Sequence, residues 1–228
     1  MYRIASTPLV SAFWLSVLIP QGLGLPDDLA ALIGATFASA IVAFDFDQNP
    51  VKTPKLTASH VAAAIAGVLF APIVSIATAW IAHLMHIPGP KNAIGGRPVS
   101  LPMFVTAIFL SPLIEEYVFR GRLLTCLRDR VGSSTAVLMS AALFGLIHLN
   151  VWLSLGAFLS GIVLGYIGLV TRGISHSALF HTGLNLCGLL GGFVLSAPPR
   201  QVATIACCWA IALAASIYFF HARPKSHA

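Results

Sequence analysis

The sequence predicts an all-α fold: a polytopic membrane bundle of about eight transmembrane helices, forming a single domain over residues 1–228. Three observations predict it. Only 9% of the residues carry charge, against roughly 25% in an ordinary soluble domain. Hydrophobic residues make up 57%, and the mean hydropathy is +0.89. The apolar residues also gather into runs of near-span length, parted by short segments rich in charge, Pro and Gly. A soluble chain would have to cover this apolar content with very few charges. The composition therefore excludes a secreted disulfide scaffold, a disordered tail and a nucleic-acid-binding domain, and it makes the lipid bilayer the expected surrounding.

A span needs about 20 mostly apolar residues. The first run is 4–24, closed by Gly-Leu-Gly-Leu-Pro-Asp-Asp; with no clear cleavage site before Asp27, it reads as a retained span rather than a signal peptide. The second is 28–44, ended by Asp45, Asp47, Pro50, Lys52 and Pro54. The third, 57–86, opens near the N-cap candidates Thr57 and Ser59. Segment 87–98 holds three Pro and three Gly and reads as a loop. The fourth run, from about 100 to 127, contains Glu115, Glu116, Arg120 and Arg122, so it is not a plain lipid-facing helix. The fifth is 133–149, the sixth 151–171, the seventh 174–195, and the eighth 200–221 after Pro198-Pro199.

Charge placement orients the bundle. With eight spans, one side carries Arg3, Lys52, Lys55, Arg122, Arg128, Arg130, Arg172, Arg223 and Lys225, and the other carries Lys91, Arg97 and Arg200. This nine-to-three bias predicts that both termini face the cytoplasm, at the plasma (inner) membrane for a bacterial source. The net charge of +6 forms no stripe of the kind that binds nucleic acid. Cys126, Cys187, Cys207 and Cys208 lie in or beside apolar runs without metal-ligand spacing and read as small buried hydrophobes.

Against this background, ionisable residues inside spans are functional candidates by default. Glu116 and Arg120 are four apart, with the acid N-terminal, so they share a helix face and can neutralise each other. Glu115 lies about 100° around the helix, leaving it as the carboxylate free for proton transfer. Arg122, two turns on, is expected to snorkel to the interface. Pro112 removes a backbone donor just upstream and is expected to kink this helix. Phe144 and His148 stand one turn apart, and so do His181 and Asn185, which could aim two neutral donors at one spot, as a developing oxyanion requires. Each motif also has a plainer reading: a Glu–Arg clasp, an interfacial histidine beside Asn150, and interhelical hydrogen bonds. His60, His83, His86, His176, His221 and His227 read as background, and Gly161-x-x-x-Gly165 reads as a close-packing face.

Taken together, Glu-Glu-x-x-x-Arg (115–120), Phe-x-x-x-His (144–148) and His-x-x-x-Asn (181–185), each on its own predicted helix and in that order, resemble the type II CAAX prenyl endopeptidase and bacteriocin-processing (CPBP, Abi) family of intramembrane proteases. The motif core covers 115–185, and a looser likeness runs over a catalytic core of about 100–195; the first three spans and the last carry none. The resemblance implies a peptide-bond hydrolase. Glu115 would activate water with the help of His148, His181 and Asn185 would form the oxyanion hole, and Glu116 and Arg120, with Phe144, would support them. No cofactor is implied by the metal-free mechanism. Glu115, His148 and His181 would be the ligands in a zinc-dependent version, which is less favoured because Asn185 makes better sense as an oxyanion donor.

The substrate would be a membrane-associated protein or peptide: a prenylated tail, a leader peptide or the anchor of a sorted protein. Water must reach the site, so a polar cavity is expected among spans four to seven. In straight upright helices, Glu115, His181 and His148 would sit at different depths, a mismatch that tilt, a kink at Pro112 or a shifted start of span five would remove. Two other classes compete. A proton-coupled transporter would be expected to show intramembrane charges in both halves, whereas here they lie only in the second. A non-catalytic immunity or scaffold protein would have no need of complete motifs. Oligomeric state is open.

Overall fold

The computed structural model describes residues 33–42, 57–88 and 101–195, without the side chains of 102, 103 and 190–195. The expected spans at 4–24 and 200–221, the placement of the termini and most of the loop at 87–98 lie outside the described residues. Every regular element among the described residues is helical. Helix α1 is Ile33–Val42 and α2 is Ala58–Leu84. Helix α3 runs without interruption over 101–131. After it come α4 (Ser133–Leu146), α5 (Val151–Thr171) and α6 (Ser175–Leu195). Of these, α2 and α5 are long and apolar enough to cross a membrane. The helices from α2 to α6 coincide with the third to seventh apolar runs.

Local chemistry sets the ends. The backbone N–H of Thr57 donates to His60 Nδ1 at 3.1 Å, closing a capping box in which an imidazole replaces the usual Glu or Gln. Asn150 caps α5, accepting from the N–H groups of Trp152 and Leu153 at 3.0 and 3.2 Å. Gly132, at φ 80°, links α3 to α4 with a single residue in a conformation that favours glycine.

Pro112 produces no break in α3. Two segments of α3 are instead wound as π-helix, Thr106–Leu110 and Tyr117–Leu123, on either side of Ser111–Glu116. Wide turns of this kind are rare and concentrate at functional sites.

Apolar side chains cover the outside of the bundle as well as its core. Large apolar side chains such as Val61, Ile76 and Trp80 on α2 and Tyr166 and Val170 on α5 face outward, while Glu116, Arg120, Ser140, Ser160, Ser177 and His181 are buried. This is the distribution that a hydrocarbon surrounding favours. Helix α2 lies along α6, and α4 lies along α5. The α2–α6 approach is at backbone distance: a Cβ on Gly67 would fall on the Phe180 carbonyl, and one on Gly183 would fall on the carbonyl of Ala64. The apolar core gathers Ile114, Val118, Phe119, Phe144, Leu164 and Phe180 around the middle of α3.

Candidate active site

The cluster is built on the last turn of Ser111–Glu116 and the wide turn that follows it. Arg120 Nη1 donates to Glu116 Oε1 at 2.8 Å, the four-residue pairing read from the sequence. Both side chains are essentially inaccessible, at 1% and 0% exposure. A buried pair of this kind gains from further contacts that offset its desolvation. Arg120 Nη2 donates to the Gly161 carbonyl of α5 at 3.1 Å, and its guanidinium lies 4.6 Å from the centre of the Phe144 ring of α4. His181 Nδ1 on α6 lies 3.1 Å from Glu116 Oε1. Since a carboxylate only accepts, that nitrogen carries the proton. Glu116 and Arg120 thus tie four helices at one point.

Glu115 emerges beside this pair. Its Oε1 accepts from the Ser111 hydroxyl one turn back, and its Oε2 is 3.7 Å from His181 Nε2. One imidazole therefore lies between two carboxylates carried by adjacent residues.

Phe144 is the hinge of the aromatic part. Its ring meets Phe119, His148 and His181 edge to face, at centroid distances of 5.2, 5.2 and 5.6 Å. His148 lies just past the end of α4, its Nδ1 3.0 Å from the Phe144 carbonyl. A carbonyl only accepts, so Nδ1 carries the hydrogen, and Nε2 of the neutral ring is the acceptor. His148 thus reaches the cluster through the Phe144 ring.

Asn185 is one turn beyond His181. Its Nδ2 donates to the Ala107 carbonyl in the first wide turn of α3, at 2.8 Å. The spacing predicts that it shares a spot with His181. In the structure, part of its donor capacity goes to backbone. Arg122 also differs from expectation: rather than reaching outward, its guanidinium folds over Tyr117, 4.9 Å from the ring centre, and bonds the phenol oxygen.

The expected residues Glu115, Glu116, Arg120, Phe144 and His181 thus come together, with His148 and Asn185 at the margin. Three further groups lie outside the sequence motifs: Ser111 on Glu115, Thr182 beside His181, and a distant pair, His60 and His176, stacked at 3.9 Å. Ser111 could have been found from its four-residue spacing to Glu115, whereas the other contacts cross between helices.

Among the described residues, no three His, Cys, Asp or Glu side chains are grouped so as to hold a metal ion. The Nδ1 atoms of His148 and His181 are taken by the Phe144 carbonyl and Glu116, which leaves Nε2 as the outward nitrogen of each ring.

Long apolar helices enclosing a buried acid, guanidinium and imidazole cluster define a helical membrane protein with its polar chemistry inside the bundle. Residues 97–187 match the family model for "Type II CAAX prenyl endopeptidase Rce1-like", the family that the three motifs resemble. The match takes in every motif residue and well under half of the chain. No curated protein matches, and no solved structure matches. The matched family points to a protease of the intramembrane endopeptidase type with a peptide or protein substrate. Together with the two long apolar helices, it points to an integral membrane protein.

Proposed function

We propose that the chain is an intramembrane endopeptidase that hydrolyses a peptide bond in a membrane-associated protein or peptide, using a water activated by Glu115. The observation that carries this reading is the placement of His181 between Glu116, at 3.1 Å, and Glu115, at 3.7 Å. A carboxylate and an imidazole nitrogen face one another there, close enough to act on the same reacting group. In this reading Glu115 takes a proton from water as the oxygen attacks the scissile carbonyl carbon. The tetrahedral intermediate then collapses, the C–N bond breaks, and the proton passes from Glu115 to the leaving nitrogen. His148, its Nε2 left as an acceptor, assists in holding the water.

The oxyanion falls to His181 and Asn185. With Nδ1–H given to Glu116, His181 offers a donor at Nε2 only as imidazolium, which makes the group of Glu115, Glu116, Arg120 and His181 formally neutral. Asn185 keeps a second amide hydrogen beyond the one given to Ala107. Glu116 and Arg120 hold the framework. The mechanism proposed is metal-free. The test compares the membrane proteome of cells lacking the protein with that of cells carrying Glu115→Gln. Precursors left uncleaved in both would identify the substrate; normal processing by the Glu115→Gln chain would overturn the mechanism.

A further inference from the structure

The geometry points to Thr182 as a positioning residue for the site, acting through the turn of α3 that precedes Glu115. The argument begins with a missing donor. Residue 112 is proline and has no N–H, so the Ile108 carbonyl loses its ordinary donor four residues on. The wide turn compounds the loss: the Ser111 N–H reaches back five residues to the Thr106 carbonyl, which leaves Ala107 without its own four-residue donor. Residue 112 would be the five-residue donor to Ala107, and again it has none to give. Buried main-chain acceptors need partners.

Both partners come from α6. The Thr182 hydroxyl donates to the Ile108 carbonyl at 3.0 Å, and Asn185 Nδ2 donates to the Ala107 carbonyl at 2.8 Å. Thr182 directly follows His181, and Ile108 lies seven residues before Glu115. The two bonds therefore fix the register of α6 on α3, and with it the separation of His181 from Glu115. Pro112 acts by exposing an acceptor that another helix must satisfy, so that the two catalytic turns are locked together. This inference rests on the reading that Glu115 and His181 work as a pair.

The test uses the full-length chain in lipid or detergent, with Thr182→Val, Thr182→Ser, Pro112→Ala and the double variant Pro112→Ala/Thr182→Val. One arm follows unfolding. The other follows kcat and KM on a quenched-fluorescent transmembrane peptide that the wild-type chain cleaves. Thr182→Val is expected to lower the unfolding midpoint and to lower kcat on the order of tenfold to a hundredfold, with KM little changed, as a displaced reacting group does. Thr182→Ser, which keeps the hydroxyl, restores both. In the Pro112→Ala background the restored N–H supplies Ile108, so Thr182→Val there costs little in either arm.

Equal costs of Thr182→Val in the wild-type and Pro112→Ala backgrounds, or a Thr182→Ser variant as impaired as Thr182→Val, would overturn the proposal. The unfolding arm is independent of activity: an active Glu115→Gln chain would remove the reading of Glu115 as the base, while additive unfolding effects would remove the positioning role alone.

Discussion

Arg120 offers the sharpest quantitative test of the packing. Replacing it with Met keeps much of the side-chain volume and deletes three contacts: the 2.8 Å bond to Glu116, the 3.1 Å bond to the Gly161 carbonyl, and the approach to the Phe144 ring. The main effect falls on the partner. Glu116 is fully buried, so removing the guanidinium leaves its carboxylate without its arginine partner, beside the His181 Nδ1. Breaking a buried pair from one side costs about 3–5 kcal/mol. Uptake of a proton by Glu116 limits the loss, because neutralisation is the alternative to an uncompensated charge.

The double variant Glu116→Gln/Arg120→Met removes the charge altogether and keeps an amide oxygen for His181 Nδ1. It is expected to recover most of the stability, since a buried pair replaced as a whole is often nearly neutral. Reversible unfolding of the full chain in mixed micelles, followed by tryptophan fluorescence, measures both. A loss below about 1 kcal/mol for Arg120→Met, or a double variant no more stable than the single, would refute the reasoning, because one-sided breakage of a buried pair must cost more than its replacement as a whole.

Three other outcomes follow from the same geometry. Asn185→Ala is expected to lower kcat by about 10²–10³ while leaving detectable turnover, as loss of one oxyanion donor does, and single-turnover peptide cleavage measures it; unchanged kcat would remove Asn185 from the oxyanion hole. Gly183→Ala forces α6 away from α2, since the new methyl would fall on the Ala64 carbonyl and come within 2.8 Å of the Val68 nitrogen. Loss of folded protein by size-exclusion chromatography is expected, whereas Gly188→Ala, where a Cβ meets nothing within 4 Å, is expected to leave the elution profile unchanged. Chelator treatment is expected to leave peptide cleavage intact; inhibition reversed by added zinc would reinstate a metal mechanism.

Much of this architecture is readable in the sequence, because a hydrocarbon surrounding imposes a simple rule on length and polarity. Runs 151–171 and 174–195 emerge as Val151–Thr171 and Ser175–Leu195 because charge, Pro and Gly punctuate them. The Glu116–Arg120 pair is equally legible, since a four-residue spacing is a property of one helix. Contacts between helices are not. That His181 faces both glutamates depends on how α6 lies against α3, which no local spacing encodes. Pro112 shows the same limit: its missing N–H is evident from the residue, but the response, a widened turn whose carbonyls are met by Thr182 and Asn185, depends on a helix far along the chain. Asn150 is visible in the sequence only as the neighbour of His148, yet it caps α5. His60 reads as no more than a helix opener, yet it is buried, its Nε2 bonded to Ser175 at 3.0 Å and its ring stacked on His176.

The bond from Arg120 to the Gly161 carbonyl carries a consequence for α5. That contact is with main chain, so any residue at 161 would present the same oxygen, and chemistry places no demand on the side chain there. Space does. A methyl on Gly161 would come within 3.1 Å of Ala141 and 3.2 Å of Phe144, one on Gly165 within 3.1 Å of Val137, and one on Gly168 within 3.3 Å of the Arg120 stem. Along this stretch α5 serves as a thin wall, and its contribution to the cluster is the volume its residues leave unfilled. Substitutions there are therefore expected to be tolerated in order of size rather than polarity, the reverse of the rule that governs Glu116 and Arg120.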